Sequence, residues 1–437
     1  MKSVLTILLF LLVMSSEAQQ VFRSLDEVQQ FAAIHNTEIL NAARKTLVAG
    51  NDLSAARGTL LPQINGSAAF QDNLRLSTTL IPAEIFGGPA GTYSEVQFGQ
   101  KYNYNAFLTG SLDIVNVGSW FRIRSSKIEE QIAQASELQV KQLISEQIAA
   151  AYYMTLLSAE ACHLAQLSKQ TSDSLLQSVT EKRQNGLVDE ITLNNLKINN
   201  RLLDDNLRNN QTIFNQNLGA LKLLMGVSMG DSIVLKEQFS RADDDFSPAL
   251  SHLTVSPEVS IAQFRMEQAA LSVKSSVASF TPRLSAVGSM GYQQFNQEFE
   301  PSFTNPSWKP VQYVGLRLDI PVFSGFARSN AVKNARLNLH TMQSSFAYVE
   351  SKAAQDDKNL LAEFYANKEK AGNAAEIRDL YLSNYTLAGQ RYREGVSNTD
   401  QYLQAFTDYL SGQSRYIAAV ADYYVSKAKI QNRIHSK

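Results

Sequence analysis

The spacing of apolar positions changes period several times along the chain. From Ser24 to Leu61, residues Leu25, Val28, Ala32, Ile39, Ala43 and Leu47 recur at three- and four-residue steps, which predicts a helix. Ser24 followed by Glu27 has the spacing of a capping box, and Pro62 supplies the stop. The period then falls to two: Ile64, Gly66, Ala68 and Phe70 alternate with Asn65, Ser67 and Gln71, which predicts a strand. A stretch rich in Gly and Pro, LIPAEIFGGPAGTYSEVQFGQ, reads as a loop leading to a second alternating run over Tyr104 to Val115. There Tyr104, Ala106, Leu108, Leu112 and Ile114 share one face, and Asn105, Thr109, Ser111 and Asp113 the other.

After Gly118 the helical period returns, with no proline until Pro248. Ser119 to Arg183 reads as one helix of about 65 residues, roughly 95 Å long. Gly186 breaks it, and a second helix runs from Asp189 to Met225. The second half repeats the plan. It has a helix from Pro257 to Phe280, alternating runs over Arg283 to Gln297 and Gln312 to Ile320, and a helix of about 65 residues ending at Arg393. A turn at Gly395 and a last helix from Asn398 to Ile434 complete it. The class is α+β, with a first repeat over residues 19–235, a linker over 236–256 and a second repeat over 257–437. The linker holds the acidic run RADDDF, read as a solvated connector.

Landmark residues support a duplication. GSLDIVNVGSWFR at 110–122 and LRLDIPVFSGFAR at 316–328 place Asp113 against Asp319 and Arg122 against Arg328, 206 positions apart. Leu61-Pro62-Gln63-Ile64 echoes Thr281-Pro282-Arg283-Leu284, and Asn185-Gly186-Leu187-Val188 echoes Glu394-Gly395-Val396-Ser397. The order is the same in both halves, as in a duplicated unit of about 200 residues.

Four strands, each apolar on one side and polar on the other, leave unpaired edges and an oily face if they stand alone. In a bilayer an open edge is forbidden, and outer-membrane barrels begin at about eight strands, so four per chain must be pooled; three chains supply about twelve. The helices carry many polar residues beside their apolar positions, as in LNNLKINNRLLDDNLRNNQTIFNQNL, which suits the wet inner wall of a helical cylinder. A periplasmic coiled-coil spacer or adaptor without a lumen is the alternative reading.

Composition narrows the function. The 437 residues hold 40 basic and 41 acidic side chains, a net charge of −1, so no whole-chain field invites nucleic acid. Residues 1–18 read as an export signal, with Lys2, an apolar run from Val4 to Met14, and Ser16-Glu17-Ala18 at the cleavage region. Cys162 is the single cysteine, and the five histidines (35, 163, 252, 340 and 435) are scattered without metal-ligand spacing. The sequence contains no Gly-rich phosphate loop or nucleophile elbow, so no catalytic, cofactor-binding or metal residue is assigned and an enzyme is not expected.

The chain resembles the TolC-like outer-membrane efflux proteins. The resemblance rests on LLPQI and FTPRL before the strand pairs, LDIVNVGSWFR and LDIPVFSGFAR after them, and RQNGLVDEITLNNLK and YREGVSNTDQYLQA at the turns between long helices. It implies a homotrimer whose strands form a twelve-stranded outer-membrane barrel, continued by a helical tunnel across the periplasm. It also implies a channel of a tripartite efflux or type I secretion system, a passive duct that docks an inner-membrane pump through a periplasmic adaptor. The cargo is not legible.

Asp113, Arg122, Asp319 and Arg328 are then expected where strand hands over to helix, and Gly186 and Gly395 at the hairpin tips. Leu112, Ile114, Leu316 and Leu318 are expected to face lipid, and the loops Ser77 to Gln100 and Glu298 to Pro310 to lie outside the cell. Asp189, Glu190, Tyr392, Arg393 and Asp400 are the candidates for a gate at the tips. Family members with a characterised closed end place carboxylates six and nine residues after the turn glycine, where this chain has Thr192 and Asn195, Gln401 and Gln404. Asp189 also suits an N-cap, and Ser397 with Asp400 has capping-box spacing.

Overall fold

A computed structural model describes residues 20–237, 246–300 and 308–435. The export signal, the acidic part of RADDDF and residues 301–307 of the second loop lie outside the described residues. In chain order the elements are β1 (Gln20–Phe22), α1 (Leu25–His35), α2 (Thr37–Gly58), β2 (Gln63–Asp72), β3 (Ser77–Pro82), β4 (Tyr93–Phe98), β5 (Tyr102–Val115), α3 (Val117–Gln184) and α4 (Glu190–Met225). There follow β6 (Ile233–Leu235), α5 (Pro257–Ala278), β7 (Arg283–Asn296), β8 (Lys309–Asp319), α6 (Ala327–Arg393) and α7 (Thr399–His435). The long helices have 68 and 67 residues, close to the lengths that the periodicity predicts. No helix among the described residues is long and apolar enough to cross a membrane.

The chain forms two compact units, one of residues 47–131 and 264–344, the other of the remainder. The first of these holds an antiparallel sheet in the order β2-β5-β7-β8. Register puts Leu108 beside Met290 and Gln312, and Leu112 beside Ala286 and Leu316, so one face collects the apolar residues. Asn65, Thr109, Ser111, Asp113, Ser285 and Ser289 stand on the other. Alternation is incomplete, because Phe107 and Tyr313 also stand on the polar face. Phe107 lies directly opposite Gly291, where an added Cβ would come within 2.6 Å of the ring and 2.2 Å of the Ala106 carbonyl oxygen. The glycine is required there by the ring that covers it. The GP-rich stretch read as a plain loop contains a hairpin of its own, β3 paired with β4. Its strands alternate weakly and are mostly exposed, which is why no strand period marks them.

The other unit has a helical core. Val28 and Ala32 of α1, Ile144, Ile148 and Tyr152 of α3, and Leu221 and Met225 of α4 are buried together, with Ala421 and Ala428 of α7. A second cluster packs Phe364 of α6 between Tyr423 and Phe246, at centroid distances of 5.6 and 5.5 Å. Phe246 ends the RADDDF run and is anchored in this cluster, while the acidic residues read as a solvated connector lie outside the described residues. Tyr365 Oη donates to the Pro248 carbonyl (2.8 Å), and Thr254 N–H and Oγ1 both donate to the Arg433 carbonyl. Strand β6 pairs in parallel with β1, an arrangement that three-residue segments do not announce.

The helix expected from Ser24 to Leu61 is broken at Asn36. Asn36 Oδ1 accepts the N–H groups of Glu38 (2.8 Å) and Ile39 (3.0 Å), and its Nδ2 donates to the Leu224 carbonyl at the end of α4 (2.7 Å). That approach needs Gly226, where a Cβ would meet the His35 carbonyl oxygen at 2.4 Å. At the start of α1 the capping box forms in part. Ser24 Oγ accepts the Glu27 N–H, but the Glu27 carboxylate accepts from Arg23 N–H rather than from Ser24.

Asn36 is 5% exposed, so its removal orphans two helix N–H groups and a carbonyl. Asn36→Ala should cost about 2 kcal/mol. In denaturant unfolding this appears as a lower midpoint with unchanged slope, and Asn36→Asp should restore the two caps but not the bond to Leu224.

Candidate functional site

Two repeated places carry the sequence landmarks, the strand-to-helix junctions and the hairpin tips. At the first junction the end of β5 carries a register shift between Asp113 and Val115, a bulge that puts Ile114 and Val115 beside Leu284. Asp113 lies on the polar face and gathers four donors. Arg283 reaches its Oδ1 with Nε (3.0 Å) and Nη2 (2.7 Å), Ser285 Oγ donates to the same oxygen (2.8 Å), and Asn116 Nδ2 donates to Oδ2 (2.7 Å). Asn116 turns its own Oδ1 to the Ser119 N–H and so starts α3.

The two junctions are therefore alike in sequence and unlike in bonding. Arg122, five residues into α3, makes no bond to Asp113; the partner is Arg283, supplied by the second repeat. Asp319 closes β8 in register with that same Arg283, is exposed, and takes no side-chain bond among the described residues. Arg328 begins α6 behind Gly325 and Phe326, both at positive φ. Arg283 was visible in sequence only as a member of the Thr-Pro-Arg-Leu landmark. Leu112, Ile114, Leu316 and Leu318 are on the apolar side of the sheet, and Leu316 is 71% exposed.

Each tip closes with the same backbone device. Gly186 (φ 72°) gives its N–H to the Arg183 carbonyl while Leu187 N–H reaches Lys182; Gly395 (φ 74°) and Val396 do the same to Tyr392 and Arg391. Three residues after each glycine comes the N-cap of the returning helix. Asp189 Oδ1 accepts the Thr192 N–H (2.7 Å), and Asn398 Oδ1 accepts the Gln401 N–H (2.9 Å). Ser397 is not the cap that its spacing from Asp400 suggests, because its own N–H is still bound to Arg391 in the turn. Asp400 is exposed in the first turn of α7, and Glu190 meets Arg183 at 3.8 Å, an exposed pair of little weight. Arg393 is exposed at the end of α6.

Tyr392 lies in a feature that the sequence reading missed. Tyr392 and Tyr385 on α6, and Tyr402 and Tyr409 on α7, are each one heptad apart. Their rings interleave as Tyr392–Tyr402–Tyr385–Tyr409, with centroid separations of 5.3, 5.6 and 5.5 Å and interplanar angles of 10, 24 and 6°. Burial in this stack raises the Tyr385 phenol well above its usual range, helped by its bond to Tyr402 Oη (3.0 Å). At the open end Lys182 of α3 sits 4.8 Å over the Tyr392 ring and donates to its hydroxyl (3.3 Å). One lysine thus joins the two hairpins. The heptad spacing of tyrosines was the signal that could have disclosed it.

A family model described as outer membrane efflux protein matches residues 28–227 and 251–433. The chain belongs to the outer membrane efflux protein family. Members of that family are outer-membrane transport proteins, so this chain is placed in the outer membrane with an efflux-channel role. The fold agrees with it. The chain is similar to the CmeC outer membrane channel of Campylobacter jejuni (TM-score 0.77, 18% identity, 94% of this chain and 85% of that one). It is also similar to VceC of Vibrio cholerae (0.73, 15% identity, 94% and 95%) and to the open state of the MtrE channel of Neisseria gonorrhoeae (0.73, 17%, 94% and 88%). These relatives have the TolC-like fold expected from the sequence, and two of them, CmeC and MtrE, are outer membrane channels. No curated protein sequence matches the chain.

The N–H of Thr192 holds the Asp189 carboxyl below the ordinary carboxylate range. Its capping contribution is then complete above a pH of about 4 and lost as pH falls through the lowered value. The protection of the Ile191 and Thr192 amides, measured as exchange relative to the intrinsic rate at each pH, should fall at low pH. Asp189→Asn should remove that pH dependence while keeping the cap, and the Asn398 tip should show none.

Proposed function

We propose that the chain is the outer-membrane duct of a tripartite export system, assembled as a homotrimer and docked to an inner-membrane pump through a periplasmic adaptor. The carrying observation is the four-stranded sheet with two open edges, β2 and β8, and one exposed apolar face. Three copies joined edge to edge give twelve strands, with the Leu112, Ile114, Leu316 and Leu318 side toward lipid and the Asp113, Arg283 side toward water. Transport through it is passive, since the sequence carries no nucleotide-binding loop and energy must come from the partner. The hairpin between β2 and β5, with its own strands β3 and β4, is the external loop. A bulky maleimide label at Ala90→Cys, exposed in that hairpin, should react on intact cells; reaction only after lysis would contradict this topology.

The tips serve as the gate in this reading. Lys182 and the tyrosine stack hold the hairpins together, and Asp189, Glu190 and Asp400 supply exposed carboxylates near the turns, with Tyr392 and Arg393 beside them. Such groups at a constriction favour cations. In planar bilayers, Lys182→Ala and Tyr392→Leu should raise single-channel conductance, and Asp189→Asn with Asp400→Asn should lower cation preference. If all four leave conductance and preference unchanged, these residues only finish and pack helices.

Charge on the apolar face tests the membrane assignment directly. Leu316→Arg should cost roughly 2–4 kcal/mol of inserted stability, while its neighbour Arg317→Leu should cost little. The check is the fraction of chain in the heat-modifiable, membrane-inserted form; equal losses for both variants would overturn the face assignment.

A further inference from the structure

We propose that the cleft at the foot of the polar sheet face binds oxyanions, namely solutes bearing carboxylate, sulfonate or phosphate groups. The proposal deepens the duct reading and rests on it, since it names the chemical class of solute that the duct would hold. The cleft lies wholly within the strand-bearing unit, has a volume of about 1240 Å³, and is lined by Arg122, Arg265 and Arg283.

Its charge is unbalanced. Among the described residues the wall contains one carboxylate, Asp113, and that group is taken up by Arg283, Ser285 and Asn116. Arg122 and Arg265 are exposed and have no ion pair or hydrogen bond among the described residues. Two guanidinium groups therefore face the same space with donors free, in the planar geometry that grips an oxyanion through paired N–H bonds. The first turn of α3, at Gly118 and Ser119, also forms part of the wall. A 68-residue helix begins there, and its N-terminal dipole adds positive potential on the same side.

The position of the cleft selects a solute over a lipid headgroup. Asp113 and Arg283 stand on the face that carries Thr109 and Ser111, opposite the one that carries Leu112 and Leu316. A phospholipid on the apolar face cannot reach these arginines through the sheet.

The test uses the full chain in detergent and a fluorescent pyrene trisulfonate as probe, followed by anisotropy. Wild-type protein should bind it saturably, more weakly as salt rises. The double variant Arg122→Gln with Arg265→Gln should bind about tenfold more weakly, whereas Arg336→Gln, outside the cleft wall, should bind as wild type. Inorganic phosphate in excess should displace the probe, and anionic phospholipid added to the micelle should not. Absence of saturable binding, equal binding by the double variant, or displacement by the lipid overturns the proposal. Planar-bilayer conductance separates the two readings. Conductance without probe binding keeps the duct and removes the oxyanion site, and probe binding without conductance keeps the site and removes the duct.

Discussion

The backbone groups on the outer edges of β2 and β8 are the constraint on which the rest depends. In water such edges invite aggregation, and in hydrocarbon each unpaired N–H or C=O costs several kcal/mol. Within the chain the inner strands are well used: β7 pairs with β5 over Leu284–Asn296 and with β8 over Arg283–Gln293. A sheet with these two edges needs partners for them wherever it meets hydrocarbon. In the homotrimer proposed above, the apolar face, the covering of Gly291 by Phe107 and the tie from Asp113 to Arg283 all serve a sheet that other copies complete.

Much of the fold was legible because periodicity reports burial. Long helices were bounded to within about two residues, since Gly186, Gly395 and the strand alternation mark abrupt changes of period. What stayed hidden depended on distant partners. Asn36 breaks a helix of unbroken apolar period because its amide reaches Leu224, 188 positions away. The bond from Arg283 to Asp113 spans 170 positions and crosses the repeat boundary, and the sequence shows the two residues only as members of separate landmarks. Segments as short as β1 and β6, or as exposed as β3 and β4, leave no period to read.

At the tips, duplication preserved backbone and released side chains. Both turns use a glycine at positive φ and a cap three residues later, yet one cap is a carboxylate and the other an amide. A side-chain amide and a carboxylate satisfy the same helix N–H, so the fold tolerates the exchange, but only the carboxylate brings charge. The tyrosine column likewise belongs to the second repeat alone, and the first repeat contributes Lys182 at its end. The two hairpins of one chain are thus chemically distinct.

The parallel pairing of β1 with β6 sets an order of events during synthesis. Gln20 is partnered by Ile233, so the strand made first has no mate until more than 200 further residues have emerged. Closing so long a loop costs only slightly more entropy than closing a short one, because the cost grows with the logarithm of length. The wait is therefore a matter of time rather than of equilibrium. While it lasts, the Phe22 ring, buried in the folded chain, stays uncovered on a chain still in transit.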